Sequence, residues 1–306
     1  MLRASVKPPF NERREVPEEA DRLAKIEDHT ERIRVASEVL AKLQADMTEA
    51  ARLRRESIAW LREHGYSLAA IADLIGVSRA RIAQLREAGP PPERAFLGTD
   101  TLTIAIPLKA GEDPDIALKP AEERKRPVVS QEDVAASNEL VELARDLQLG
   151  ATIEYIPTSG KVDLNRNNLI VICGPKISAT IAEALTADPV LHFDSDEHGR
   201  WFLVDQRSGQ TYRSPSDDLD NPRPEDVAYL SRIPRPDGQG TFILLTGMHA
   251  VGSHGVIRYL GRELPELYRQ VGTYRFSTVI ACVFDLVTRS ILSSRRVTPL
   301  YLHEGA

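Results

Sequence analysis

The stretch SLAAIADLIGVSRARIAQLR, Ser67 to Arg86, decides how the first third of this 306-residue chain folds. Ser67 stands where a helix cap is needed, and Leu68, Ile71, Ala72 and Ile75 recur three and four apart, sharing one face of a short helix. Gly76 then predicts a left-handed stop, because glycine enters that conformation without a steric cost. Ser78 caps a second helix, whose Ile82 and Leu85 return to the same core as Val77 while Arg79, Arg81, Gln84 and Arg86 point elsewhere. Ala72 is small enough for the two helices to approach, and Ile82 fills the gap between them.

Over Arg52–Arg86 this pattern resembles the helix-turn-helix of bacterial regulators, in the variant found in region 4 of sigma-70-type factors. The resemblance implies a second helix lying in the major groove with Ser78, Arg79, Arg81 and Gln84 at base edges. Arginine suits guanine and glutamine suits adenine. It also implies a first helix crossing the backbone, with the amides at Ser67 and Leu68 holding a phosphate. The expected partner is double-stranded DNA. Charge agrees: Arg52–Arg86 carries seven arginines against Glu56, Glu63 and Asp73, whereas the whole chain has a net charge of −6.

Outward toward the N-terminus, residues 1–17 hold Pro8, Pro9 and Pro17 without periodicity and are expected to form a disordered tail. From Glu18 to about Leu61 neither proline nor glycine occurs. Leu23, Ile26, Ile33, Ala36, Leu40, Leu43, Met47, Ala50 and Leu53 recur at helical spacing, predicting one long helix or two in tandem. The part before Asp46 has no role in the reader's core, so it is expected to make a coiled-coil contact with a second copy of the chain. The helical DNA-binding domain thus spans 18–89. EAGPPPERAFLG follows, and its Gly89 and three prolines predict a proline-rich linker over 90–98.

From residue 99 to 306 the character changes. TLTIAIPL, ATIEYIP, NLIVICG, VAYLSRIP, TFILLTG and FSTVIACVFD are short apolar runs that alternate with helical spacing in SQEDVAASNELVELARDL, SATIAEALTA and VGSHGVIRYLGREL. Continuous apolar strands between helices predict an α/β domain with a mostly parallel sheet covered on both faces. Between 190 and 213 the EHG and RSG turns predict an antiparallel hairpin insertion of two or three strands.

No run of the sequence is long and apolar enough for a membrane span, and the N-terminus lacks the apolar core of a signal peptide, so the chain is expected to be cytoplasmic with no membrane partner. Its two cysteines, Cys173 and Cys282, lie within apolar runs and suit a reduced core better than a disulfide or metal site.

In open α/β sheets, ligands sit where the strands' carboxyl ends lead into helices. Two loops have a fitting composition. NLIVICGPKISATIAEAL passes through Gly174, Pro175 and Lys176 to Ser178, offering amides and a cation. TFILLTGMHAVGSHGVIRYL passes through Gly247, His249, Gly252, Ser253 and Gly255. Both favour a phosphate-bearing small-molecule effector, although neither is a P-loop or a dinucleotide fingerprint. No cofactor, metal set or catalytic residue is nominated. The segments LIVICGPKISATIAEALTADPVLHFD, DVAYLSRIPRP and TFILLTGMHAVGSHGVIRYL together resemble a Rossmann-like domain found beside DNA-binding or effector modules in prokaryotic regulatory and defence proteins. That resemblance, over about Asn168 to Thr298, implies a sensor role. The resulting expectation is a homodimeric transcription regulator that senses a small anionic ligand, with a nucleotide as one candidate. A nucleotide-processing enzyme carrying a DNA-binding module and a protein that docks on RNA polymerase stay open as alternatives.

Overall fold

The computed structural model describes residues 15–112 and 125–303, and the chain divides into two compact units, Met1–Gly89 and Pro90–Ala306. The tail expected over 1–17 lies outside the described residues as far as position 14, and helix α1 (Glu15–Ala24) already covers its last three residues. The long apolar pattern resolves into two helices. Asp28 interrupts it by capping α2 (His29–Glu63), accepting hydrogen bonds from the Thr30 and Glu31 amides at 2.7 and 3.0 Å. A carboxylate in that position satisfies two of the four amides that every helix start leaves open.

The end of α2 joins α3 (Leu68–Ile75) and α4 (Arg79–Glu87) around one small core of Ile58, Ile71, Ala72, Ile82 and Leu85. Local chemistry sets the two helix starts and the turn between them. Ser67 accepts from the Ala70 amide and Ser78 from the Arg81 amide, both at 3.1 Å, while Gly76 sits at φ +72° between the helices. Two assignments to this core need correcting. Ile75 and Val77 are exposed, as is Leu74, because the chain turns at Gly76 before either flanking residue reaches the interior.

The upstream part of α2 carries an apolar row that is exposed among the described residues. Ile33, Leu40 and Met47, seven residues apart, are 69%, 66% and 67% exposed, and Leu43 lies exposed between them. The spacing matches the seven-residue repeat that coiled-coil seams use.

The second unit begins earlier than the prolines imply. Residues 94–97 form a short helix, α5 (Arg94–Leu97), whose four residues are all buried. The Phe96 ring packs 5.7 Å from Phe276, its carbonyl accepts from the buried Arg232, and Arg94 donates to the carbonyls of Gln148 and Thr99. The linker expected over 90–98 is therefore corrected: from Arg94 onward it is part of the α/β unit, held by an aromatic side chain that the three prolines overshadow.

Then follow β1 (Leu102–Pro107), β2 (Lys109–Glu112), β3 (Lys125–Val128), α6 (Gln131–Asp146), β4 (Ala151–Ile156), β5 (Leu169–Ile172) and α7 (Ala179–Leu185). The insertion is β6 (Leu191–Ser195), β7 (Trp201–Asp205) and β8 (Thr211–Arg213), a three-stranded antiparallel sheet. The chain ends with β9 (Glu225–Pro234), β10 (Thr241–Gly247), α8 (Ala250–Val271), β11 (Phe276–Phe284), β12 (Ile291–Arg296) and β13 (Tyr301–Leu302).

The main sheet runs β12-β11-β9-β10-β5-β1-β4, with β13 beside β11. Its β10-β5-β1-β4 half is parallel, whereas β9, β11, β12 and β13 pair antiparallel. The parallel expectation thus holds for one half only. β9 and β11 are buried on both faces, so their apolar runs are as continuous as those of parallel strands. Helices α6 and α8 cover one face, while α7 and the small sheet cover the other, giving two cores on either side of the main sheet.

Candidate functional site

On the first unit, Ser78, Arg79, Arg81 and Gln84 lie toward solvent, and Ile82 and Leu85 anchor the opposite face of α4 with 0% and 6% exposure. Arg81 Nη1 donates to Gln84 Oε1 at 3.2 Å, aligning the two side chains. Ser67 is exposed at the start of α3. Not every arginine of the basic stretch is on offer, however. Arg52 is buried and clamped by Glu49 and Glu56, both at 2.7 Å, and Arg55 donates to the Gly89 carbonyl at 3.0 Å. Local charge counted from sequence therefore overstates the exposed charge.

On the second unit, the carboxyl ends of β1, β4, β5 and β10 open into one cleft of about 500 Å³. Both glycine loops reach it. Gly174, Lys176, Gly247 and His249 line it, together with Lys109, Asp133, Thr158 and an apolar group that includes Leu108, Ile177 and Met248. Lys176 is exposed and its ammonium pairs with no carboxylate among the described residues. Lys109 Nζ lies 3.0 Å from Asp133 Oδ2, an oxygen that also accepts the Ser130 hydroxyl. His249 Nε2 lies 3.0 Å from Asp217 Oδ1, at the edge of the loop that precedes β9. A second cavity of about 550 Å³ adjoins that loop, but its Arg200 and Arg213 are both paired with Asp196.

Five expected ligand residues take other roles. Pro175 is absent from the cleft lining. The Ser178 hydroxyl is buried, accepting from the Ile181 amide and donating to the Gly160 carbonyl at 2.5 Å. Its own amide and that of Ile177 both donate to the Gly174 carbonyl, so these two amides are spent within the loop itself. Gly252 and Gly255 face the sheet: a Cβ on Gly255 would meet Cys282 Sγ at 2.6 Å, and one on Gly252 would strike the Asp226 carboxylate. Ser253 Oγ accepts from the Gly247 amide at 2.9 Å. This part of the loop is a packing device that seats α8 on β9 and β11.

Asp226 is the residue that sequence reading missed. It is 0% exposed in β9, and its Oδ2 accepts from the His249 amide at 2.9 Å, so a carboxylate of the chain itself occupies the positive start of α8. Its Oδ1 has no hydrogen-bond partner among the described residues. Burial pushes this carboxyl up to about 6, against the opposing pull of the Ser214 hydroxyl and of the His249 imidazole and amide. Burial also pushes the Cys173 and Cys282 thiols up to about 12, which makes them inert core groups.

The Asp226 carboxyl is easier to protonate in the folded chain than in the unfolded one. Its contribution to stability is therefore fully present below about pH 4 and is lost as pH rises through about 6. A displacement of that size corresponds to roughly 3 kcal/mol across the window. Asp226→Asn should flatten this part of the profile, raising stability relative to the native chain at about pH 8 more than at about pH 4. Denaturant unfolding at the two pH values checks it, and an unchanged difference between them would assign the titration elsewhere.

Among the described residues no group of three or more His, Cys, Asp or Glu is placed to hold a metal ion, and no helix is long and apolar enough to cross a membrane. Comparison with protein-family models, with curated proteins and with solved structures gives no match for this chain.

Proposed function

We propose that this protein is a dimeric DNA-binding transcription regulator whose α/β unit senses a small anionic ligand. The observation that carries the reading is the solvent-facing row of Arg79, Arg81 and Gln84 on α4, held by a core whose two short helices each start at a serine cap. Such a helix fits the major groove, where arginine and glutamine read base edges in pairs of hydrogen bonds. The experiment is a mobility-shift titration on double-stranded DNA at several salt concentrations. Binding that weakens steeply with salt supports the reading, because phosphate contacts release counterions. A second reading, docking on RNA polymerase through the same helices, is favoured by the exposed apolar row Leu74, Ile75 and Val77. Binding to polymerase but not to DNA would select it.

The heptad row of α2 supplies the second copy. Two readers on one dimer bind two half-sites, and their affinities multiply. Full-length protein should sediment as a dimer at tens of micromolar, while Leu40→Glu combined with Met47→Glu should give a folded monomer with much poorer operator affinity. A native chain that sediments as a monomer sinks the seam.

The sensor part rests on the shared cleft, which gathers Lys176 and His249 from two loops far apart in sequence. A ligand there shifts the protein between states only by its difference in affinity for them. Lys176→Ala should therefore lose the ligand response and keep DNA affinity.

A further inference from the structure

If the cleft on the α/β unit is the ligand site proposed above, its charge balance narrows what it holds. Two long helices, α6 and α8, begin at this cleft, and a free helix start attracts anions. Neither start is free. Asp133 sits in the first turn of α6, in contact with the Ser130 cap, and Asp226 accepts from the His249 amide at the start of α8. The cleft's other basic side chains are answered as well: Lys109 by Asp133 and His249 by Asp217, each at 3.0 Å. That leaves Lys176 as the cation lining the cleft with no carboxylate partner among the described residues. With Asp133 and Asp217 already set against Lys109 and His249, a polyphosphate brings about three or four negative charges toward one free ammonium beside the Asp226 carboxylate. A phosphate monoester, with roughly one to two charges, does not face that excess.

The acceptor side of the cleft is equally specific. Asp133 has a side chain only 4% exposed, and it lines the cleft. Its Oδ2 takes the Lys109 ammonium and the Ser130 hydroxyl, while Oδ1 takes no hydrogen bond among the described residues. A carboxylate oxygen accepts from O–H or N–H groups and donates to none, so what satisfies it must carry donors. The apolar side chains of Leu108, Ile172, Ile177 and Met248 line the same space, whose volume of about 500 Å³ lies within the range of small-molecule sites.

We propose that the cleft binds the monophosphate ester of a hydroxyl-bearing compound, a pentose phosphate or a nucleoside 5′-monophosphate. Its phosphate pairs with Lys176, and a sugar hydroxyl donates to Asp133 Oδ1. Polyphosphates bind less well, and a nucleoside base lies against Met248 and Ile177.

Calorimetric titration of the full-length protein tests this with ribose 5-phosphate, the four nucleoside 5′-monophosphates, their triphosphates and the matching 2′,3′-dideoxy monophosphates. The expected result is binding of at least one monophosphate, weakened tenfold or more in its triphosphate, in its dideoxy analogue and in Lys176→Ala. Binding of ribose 5-phosphate as tight as that of any nucleotide identifies the free sugar phosphate as the ligand, and tighter nucleotide binding identifies the nucleotide. Asp133→Asn should match the dideoxy loss. Because that change also touches the start of α6, the dideoxy comparison made on the native chain is decisive. A triphosphate that binds as tightly as its monophosphate, or a dideoxy analogue that binds unchanged, overturns the inference while leaving an anion cleft in place. If no phosphate-bearing probe binds, or if Lys176→Ala leaves binding intact, the cleft reading itself falls and this inference falls with it.

Discussion

Replacing Arg79, Arg81 and Gln84 together by alanine is expected to abolish sequence-specific DNA binding and to leave the melting temperature almost unchanged. Each side chain lies toward solvent and none belongs to the core of Ile58, Ile71, Ala72, Ile82 and Leu85. Alanine favours the helix, and within the protein the substitutions remove only the exposed Arg81–Gln84 hydrogen bond at 3.2 Å. Exposed substitutions of this kind stay within about 0.5 kcal/mol in stability. The cost on DNA is of another order, since each good pairing with a base edge is worth about 1 to 3 kcal/mol of discrimination. Three such losses bring a specific site down to the level of non-specific DNA. Arg54 is exposed on α2, so Arg54→Ala should instead weaken all sequences alike through lost phosphate attraction. Arg55→Ala is predicted to act on stability, because its guanidinium is tied to the Gly89 carbonyl at 3.0 Å. If a mobility-shift titration finds the triple variant binding as the native chain does, the reader assignment fails.

What could be read in advance follows the range over which each interaction acts. The caps at Ser67 and Ser78 and the left-handed Gly76 act within a few residues of themselves, so spacing alone located α3 and α4. Asp28 acts as locally, yet it was missed, because the apolar repeat runs through the break it makes. The antiparallel half of the sheet was illegible for another reason: burial on both faces removes the alternation that distinguishes a half-buried strand. The cleft was half legible. A strand end followed by glycine points to a loop where ligands gather, and Gly174, Lys176, Gly247 and His249 do meet. Sequence does not say which side of a loop faces the protein, so Ser178, Gly252, Ser253 and Gly255 were assigned to a ligand although they face the chain's own interior. Lys109 and Asp133 gave only weak signals, a lysine at the end of an apolar strand and an acid three residues after a serine cap. The second of these reads first as capping chemistry.

Gly252→Val separates these two views of the second loop and should be among the most damaging single changes in the protein. If the glycine were needed for a ligand to approach the backbone, valine would cost binding and leave the fold alone. The geometry gives the opposite result. A Cβ at Gly252 would strike Asp226 Oδ2 and come within 3.0 Å of Gly247 Cα, and both are held from behind. Asp226 is buried in β9 and bonded to the His249 amide, and the Gly247 amide is bonded to Ser253. Relief requires α8 to lift from the sheet, yet α8 carries Val251, Val256, Ile257, Leu260, Leu264 and Leu267 into the protein interior. Overpacking a rigid core costs about 1 to 3 kcal/mol, and displacing a buried carboxylate from its hydrogen bond adds a similar amount. A loss of about 3 to 5 kcal/mol is a large part of the stability of a domain of this size. The variant should therefore melt far lower or fail to accumulate as folded protein, whereas Lys176→Ala in the cleft keeps the native melting curve. A Gly252→Val protein that melts normally and has lost only its ligand would return the glycine to the binding site.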